Sequence, residues 1–321
     1  MSLELRQMRH VLALAEHGNF ARAAAALHLS QPALSRSIQS IEQQIGTGLF
    51  SRTSNGVVPT DIGRLFVQRA RHLVRMAAEF DREVLGDPTL QIGHVAVGAG
   101  PYPAESILSV ALARFIAAYP MVSVRMQVGN WDELLRRLRA REVDFFVAEI
   151  STLQAEYDLQ IEPLAEHPLF FVARSGHPLA GRGEVTAADT FAFPFVAPSR
   201  IPPRVLEPML KAQREASAPA AVARAFPSLE CGSLAVMKRI VADSDAITAV
   251  TLPCVSAELA DHRLTLLGRA PWLSVHYGLV GLKGQPLSRA AEGFREFVID
   301  AERMTSIEED RLRKEWACRT A

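Results

Sequence analysis

The chain has 321 residues, 49% of them hydrophobic, and a formal net charge of zero at pH 7, enough to build more than one sizeable core. It lacks both the uninterrupted apolar run of roughly 20 residues that a membrane helix needs and a basic-then-apolar leader, so a cytoplasmic protein without a membrane partner is expected. Its three cysteines, Cys231, Cys254 and Cys318, form neither a close metal-ligand spacing nor a disulfide framework, which fits a reducing compartment and no metal cofactor. The zero balance conceals a local bias. Nine arginines against four acidic side chains up to Arg75 give that segment about +5, a modest footprint for an anionic partner.

The first predicted helix runs from about Leu3 to Glu16 and turns Leu5, Met8, Val11, Leu12 and Ala15 inward. Gly18 ends it, and Asn19 is placed to cap a second helix, Phe20 to Leu27, that buries Phe20, Ala23, Ala24 and Leu27. Ser30 reads as the N-cap of a third helix, with Pro32 tolerated in its first turn. Ala33, Leu34, Ile38, Ile41 and Ile45 form the buried side of that helix and leave Gln31, Ser35, Arg36 and Gln39 outside. Arginine suits guanine edges, glutamine suits adenine edges, and serine reaches either. An ordinary solvated face is the alternative reading of those four residues.

Asn55-Gly56 predicts a two-residue hairpin turn, because both residues accept positive φ. It would place Arg52 and Val57 on the arms of a small wing that can reach a duplex backbone or minor groove. Thr60 caps a long helix in which Ile62, Phe66, Leu73, Met76, Phe80 and Val84 keep a three-and-four spacing broken only by Arg69. Such a seam requires a partner; a second copy is expected, and packing against the chain's own domains is the alternative.

Gly86-Asp87-Pro88 breaks that helix. Strand-like stretches at 90–97, 122–128 and 143–148 then alternate with helices at about 104–119 and 131–141, followed by strand candidates at Leu164 and at 169–174, 193–197, 246–252 and 275–282. The alternation predicts a parallel sheet covered on both sides. Ligands of such sheets sit beyond the strand carboxyl ends, so Gly100, Pro101, Tyr102, Asn130 and Trp131 line one wall of a crevice, with residues 195–200 and 248–253, including Ser199, Arg200 and Thr251, on the other. Arg200 could hold an effector carboxylate or be a plain loop arginine. The Val, Phe, Ala and Pro around these positions favour an organic ligand over a metal ion.

An enzyme is not expected. There is no dinucleotide fingerprint at 97–102, no phosphate-cradling loop, no nucleophile elbow and no short cluster among His94, His167, His177, His262 and His276. Cys231 and Cys254 read as ordinary cysteines before redox sensors. The competing classes are a solute-binding module whose first helices only mediate assembly, and an α/β enzyme fused to a DNA-binding domain.

Ala23-Ala24 through Leu27, Ser30-Gln31-Pro32-Ala33-Leu34-Ser35, Ile38, Leu49-Phe50-x-Arg52 and Thr60-x-x-Gly63 together resemble the signature of the LysR-type transcriptional regulators. The resemblance departs from that pattern at Asn55, often arginine, and at Pro59, often leucine. It implies an α/β protein with an N-terminal winged helix-turn-helix (1–60), a linker and dimerisation helix (61–87) and a periplasmic-binding-protein-like effector domain (88–302), followed by a C-terminal extension (303–321). The effector domain is expected as two α/β subdomains, about 90–162 plus 268–302, and 163–267, with the ligand between them. Gln31, Pro32, Ser35 and Arg36 would then enter the major groove while Arg52 holds the duplex, and the turn at Cys231-Gly232-Ser233 would join the effector site through Ser233. The implied partners are double-stranded promoter DNA, a small organic effector, further copies of the chain as a homodimer or homotetramer, and RNA polymerase.

Overall fold

The computed structural model describes residues 3–53, 56–84, 93–182, 185–216, 225–269 and 272–320. They fall into two compact units, Met1–Thr89 with Arg139–Glu142, and Leu90–Leu138 with Val143–Ala321. The predicted break at Gly86-Asp87-Pro88 and the start of the following strand at 90–92 lie outside the described residues.

The N-terminal unit contains α1 (Leu5–His17), α2 (Phe20–Ala26), α3 (Gln31–Ile45), β1 (Phe50–Thr53), β2 (Gly56–Pro59) and α4 (Asp61–Val84). Gly18, at φ 59°, ends α1 in the left-handed conformation, and the Asn19 side chain accepts from the N–H groups of Ala21 and Arg22 to start α2. Ser30 occupies the N-cap position of α3, but its hydroxyl makes no capping bond. Val11, Leu14, Ala23, Ala24, Leu34, Ile38, Ile41 and Leu49 close the core. Because α1 packs against α2, α3 and α4 together, its most buried stripe is His10, Val11 and Leu14; of the predicted line, Val11 is fully buried, and Leu5, Met8, Leu12 and Ala15 are half-buried. The β1–β2 register pairs Thr53 with Gly56, which makes Gly56 the first residue of β2; Asn55, the other half of the predicted turn, lies outside the described residues. Gly56 has φ 128°, and a Cβ there would sit 2.6 Å from the Gly18 carbonyl. It is glycine because two backbones meet at that point.

The second unit begins with β3 (Gly93–Ala99), a broken helix comprising α5 (Pro101–Pro103), a π-turn (Ala104–Leu108) and α6 (Ser109–Ala118), then β4 (Val122–Val128), α7 (Trp131–Arg139), β5 (Phe145–Glu149) and β6 (Leu159–Pro168). The chain crosses to β7 (Phe170–Arg174), α8 (Ala187–Phe191), β8 (Val196–Ala197), α9 (Pro203–Ala216), β9 (Leu229–Glu230), α10 (Leu234–Ala242), β10 (Thr248–Val250), a 3₁₀ turn (Leu252–Val255), α11 (Ser256–Ala260) and β11 (Leu264–Gly268). It returns through β12 (Ser274–Leu282) to α12 (Arg289–Thr320).

One sheet has the order β4-β3-β5-β12-β6 and the other the order β10-β7-β11, with a small parallel pair β8-β9 beside the latter. In the larger sheet β3, β4 and β5 run parallel, while β12 is antiparallel to both β5 and β6; in the smaller sheet β7 is antiparallel to both β10 and β11. The predicted all-parallel sheet is therefore corrected to a mixed one. The chain leaves through β6 and comes back through β12, which reverses strand direction. Residues 163–168 belong to the first sheet, and the two crossings fall at Pro168–Phe170 and Gly268–Ser274, where the Leu169 N–H donates to the Leu273 carbonyl at 2.9 Å. The 303–321 extension is likewise no separate element, since α12 runs unbroken from Arg289 to Thr320.

Candidate functional site

The candidate residues fall into two groups, one in each unit. On α3, residues 31, 35 and 39 repeat every four positions and so lie on one face. Gln31, Pro32, Arg36 and Gln39 are exposed and Ser35 is half-buried, while Leu34, Ile38 and Ile41 on the opposite face are at most 2% exposed. At the helix start Pro32 has no N–H, and the Ala33 and Leu34 N–H groups donate to the Ser30 carbonyl at 3.0 and 3.1 Å. Arg52 is exposed on β1. The wing hangs on α3 itself, because the Glu42 carboxylate accepts from the Leu49 N–H at 2.7 Å and the Phe50 N–H at 3.2 Å.

His10 of α1 and Ser37 of α3 are bonded at 2.7 Å between Nδ1 and Oγ. Burial, helped by the charge of Arg6, lowers the His10 pKa. A lowered histidine pKa stabilises the fold above the unfolded value near 6.5 and loses that contribution as pH falls through the folded pKa. Ser37→Ala strands the imidazole without this partner and is expected to destabilise the N-terminal unit by about 1–3 kcal/mol. A lower urea midpoint, with the α3 surface otherwise untouched, would be the check.

Along α4, Ile62, Leu65, Leu73, Met76 and Phe80 expose between 44% and 64% of their surface, an apolar seam of the kind a second helix covers. Phe66, predicted on that seam, instead packs half-buried against the N-terminal core; its place is taken by Leu65, one residue earlier. The Val84 side chain lies outside the described residues.

In the second unit the predicted residues sit where strands end and helices begin, but many already have partners. Tyr102 is buried, and its hydroxyl donates to the Ala249 carbonyl at 2.8 Å, joining the start of the broken helix to β10. Burial pushes the pKa of that hydroxyl far above its usual value. Gly100 is buried just before it and donates to Val147 O at 2.8 Å, with Pro101 half-buried beside it. Thr251 is buried, its hydroxyl 3.2 Å from Cys254 Sγ. Asn130 and Ser233 act as helix caps, accepting from the N–H groups of Glu133 and Val236, and Trp131 packs half-buried on the Leu134–Leu138 cluster. Arg200, in a left-handed conformation at φ 63°, lies 3.4 Å from the Asp132 carboxylate at the start of α7. Ser199 stands beside Gly232, whose added Cβ would be 3.6 Å from Ser199 Oγ. Two contacts thus tie the part of the unit around β3 and α7 to the part around β10 and residues 199–200, the buried Tyr102–Ala249 bond and the more exposed Arg200–Asp132 pair.

Residues 5–64 match the model of the lysR-family bacterial regulatory helix-turn-helix protein, and residues 89–303 match the LysR substrate binding domain. The chain belongs to the LysR family of transcriptional regulators. This regulator is 38% identical over 307 residues to the SDS degradation transcriptional activation protein of a Pseudomonas species, covering 94% of this chain and 97% of the relative. It is 28% identical to the RuBisCO operon transcriptional regulator of Allochromatium vinosum, over 95% and 98% of the two chains. Its fold matches CbnR solved with its target DNA, with a TM-score of 0.66 at 20% identity over 93% and 100% of the chains. A full-length OxyR from Pseudomonas aeruginosa matches with a TM-score of 0.66 at 18% identity over 94% and 95%. The regulator is a DNA-binding transcription factor modulated by a small effector, and not an enzyme.

Sequence reasoning missed one further bridge in the regulator. Lys238 of α10 forms ion pairs with Glu105 of the broken helix and with Glu258, the latter at 3.0 Å, and donates to the Cys254 carbonyl at 3.0 Å. No local spacing signals it, because Glu105 and Lys238 are 133 positions apart. Burial pushes the Cys254 thiol up to about 12, which leaves it protonated and unreactive. Among the described residues, no helix is long and apolar enough to cross a membrane, and no group of three His, Cys, Asp or Glu could hold a metal.

Proposed function

We propose that the regulator binds a partly palindromic promoter as a dimer, with Gln31, Pro32, Ser35, Arg36 and Gln39 facing the major groove, and Arg52 gripping the backbone. The observation that carries this reading is the polar stripe of α3 laid directly over the buried Leu34–Ile38–Ile41 face. Pairing through Ile62, Leu73, Met76 and Phe80 sets two readers on successive faces of the duplex, and a further pairing of effector domains gives a tetramer. Contact with RNA polymerase then converts promoter occupancy into altered transcription.

In the same reading a small organic effector enters the crevice bounded by Gly100, Pro101, Tyr102, Asn130, Trp131, Ser199, Arg200, Ser233 and Thr251. An anionic head on an apolar body suits it best. Such an anion can compete with Asp132 for Arg200, and the relative named for SDS degradation supports an amphiphilic signal. The test is selection of genomic fragments by the full-length protein, followed by footprinting with and without alkyl sulfates and carboxylates. A protected, two-fold related site whose footprint changes with one of these compounds is the expected result; no selective protection would overturn the reading.

Tyr102→Phe deletes the bond to the Ala249 carbonyl while keeping the ring packed. A net hydrogen bond is worth about 1 kcal/mol, so the effector concentration for half response should shift about fivefold. An effector titration of the footprint reads that shift directly, and an unchanged midpoint would remove Tyr102 from the response.

A further inference from the structure

The C-terminal half of α12 carries a polar face that is buried. Glu302, Thr305 and Glu309 are each at most 6% exposed, and their three-and-four spacing puts them on one side of the helix. Glu302 Oε1 lies 3.0 Å from His167 Nε2 and Glu309 Oε2 lies 2.8 Å from His167 Nδ1, so one imidazole on β6 is gripped at both nitrogens. Glu302 also accepts from the Ala165 N–H and the Ser306 hydroxyl. Thr305 donates to the Ser106 carbonyl at 3.2 Å, and the Ser106 hydroxyl donates to the Tyr102 carbonyl at 2.9 Å. Further along, Trp316 meets Phe170 edge-on at 5.5 Å. The same helix therefore touches β6 just before the crossing, β7 just after it, and the Tyr102–Ser106 segment of the broken helix.

We propose that the C-terminal half of α12 is a strap across the two crossing strands, with His167 between Glu302 and Glu309 as its lock, and that the strap fixes the arrangement of the two sheets in the effector-free regulator. The lock is ionic and buried, and it responds to pH. Burial draws the His167 imidazole toward neutrality, but hydrogen bonds and charge from Glu302 and Glu309 outweigh it and push its pKa up to about 9. From β12, Tyr277 packs its ring on the imidazole at 4.9 Å between centroids, and Cys254 lies in the buried surroundings of Tyr277. Alternation along the strands sends the neighbouring Glu166 and His276, themselves paired at 2.8 Å, to the other face. A histidine raised above its unfolded value near 6.5 contributes fully below that pH and loses the contribution as pH rises through the folded pKa. The strap is thus firm at neutral pH, with His167 charged, and slackens through about pH 9.

The experiment uses the full-length protein with Trp131→Phe and Trp272→Phe, so that Trp316 reports strap docking against Phe170. Emission followed from pH 6.5 to 10 without effector should show a red shift with its midpoint near pH 9. His167→Gln should abolish that step and show the slack emission already at pH 7. Glu309→Gln, which keeps an acceptor but removes a charge, should move the midpoint down by about one pH unit. The same step retained in His167→Gln, or an unmoved midpoint in Glu309→Gln, would overturn the proposal. Because no effector or operator is added, this outcome is independent of the crevice and promoter reading.

Discussion

Gly63→Ala is expected to abolish promoter binding while leaving the effector unit folded. A Cβ at Gly63 would lie 1.9 Å from the Leu49 carbonyl oxygen and 2.9 Å from its carbon, both backbone atoms. That backbone has nowhere to go. The Leu49 N–H is tied to Glu42, the Leu49 carbonyl accepts from Thr60 at 2.9 Å, and the Thr60 hydroxyl caps α4 at the Gly63 N–H. Overpacking of a fixed site costs about 1–3 kcal/mol or more, and this one moves the wing off α3. Gly46→Ala is the contrast, since its φ of 78° opens onto empty space and the strain should stay near 1 kcal/mol. Thermal unfolding followed by circular dichroism should show the first transition displaced downward in Gly63→Ala and the effector transition unchanged. An unaltered first transition would remove Gly63 from the junction.

Arg36→Ala should weaken operator binding by about 5- to 150-fold per reader, the range of one good base contact. A two-reader assembly feels the loss twice, and its preference at one base pair should relax. Arg52→Ala should instead weaken all duplexes alike and lower the salt slope by about one. Titrations at several salt concentrations, against the operator and a single-base variant of it, separate the two behaviours. Equal losses on every duplex from Arg36→Ala would reassign that side chain to the phosphate backbone.

The N-terminal unit was legible because its determinants are local. Asn19, Gly18 and Thr60 act within four residues of the backbone groups they satisfy, and α3 shows its two faces in its own spacing. The misread positions there are those decided by neighbours. The inward line of α1 depends on three other helices, and Phe66 is drawn into the core from a seam that its spacing alone assigned to a partner. In the second unit, strand positions were readable but strand directions were not, since the antiparallel placement of β12 follows from an excursion of more than 100 residues between β6 and β12 rather than from any local pattern. The positions of Tyr102 and Thr251 beside strand ends were readable from the sequence. Their bonding was not, because Tyr102 and Ala249 are 147 positions apart. His167 looked unremarkable for the same reason: its two carboxylates arrive 135 and 142 residues later.

The two faces of α3 divide the evolutionary freedom of this chain. Substitutions at Leu34, Ile38 or Ile41 disturb the core and are removed by their effect on folding. Substitutions at Gln31, Arg36 or Gln39, exposed and outside that core, cost little stability, and in the proposed reading they would alter which bases are preferred. After a duplication, one copy can therefore drift to a new set of promoters through outward changes on a single helix, while its response to the old signal persists in a separate unit.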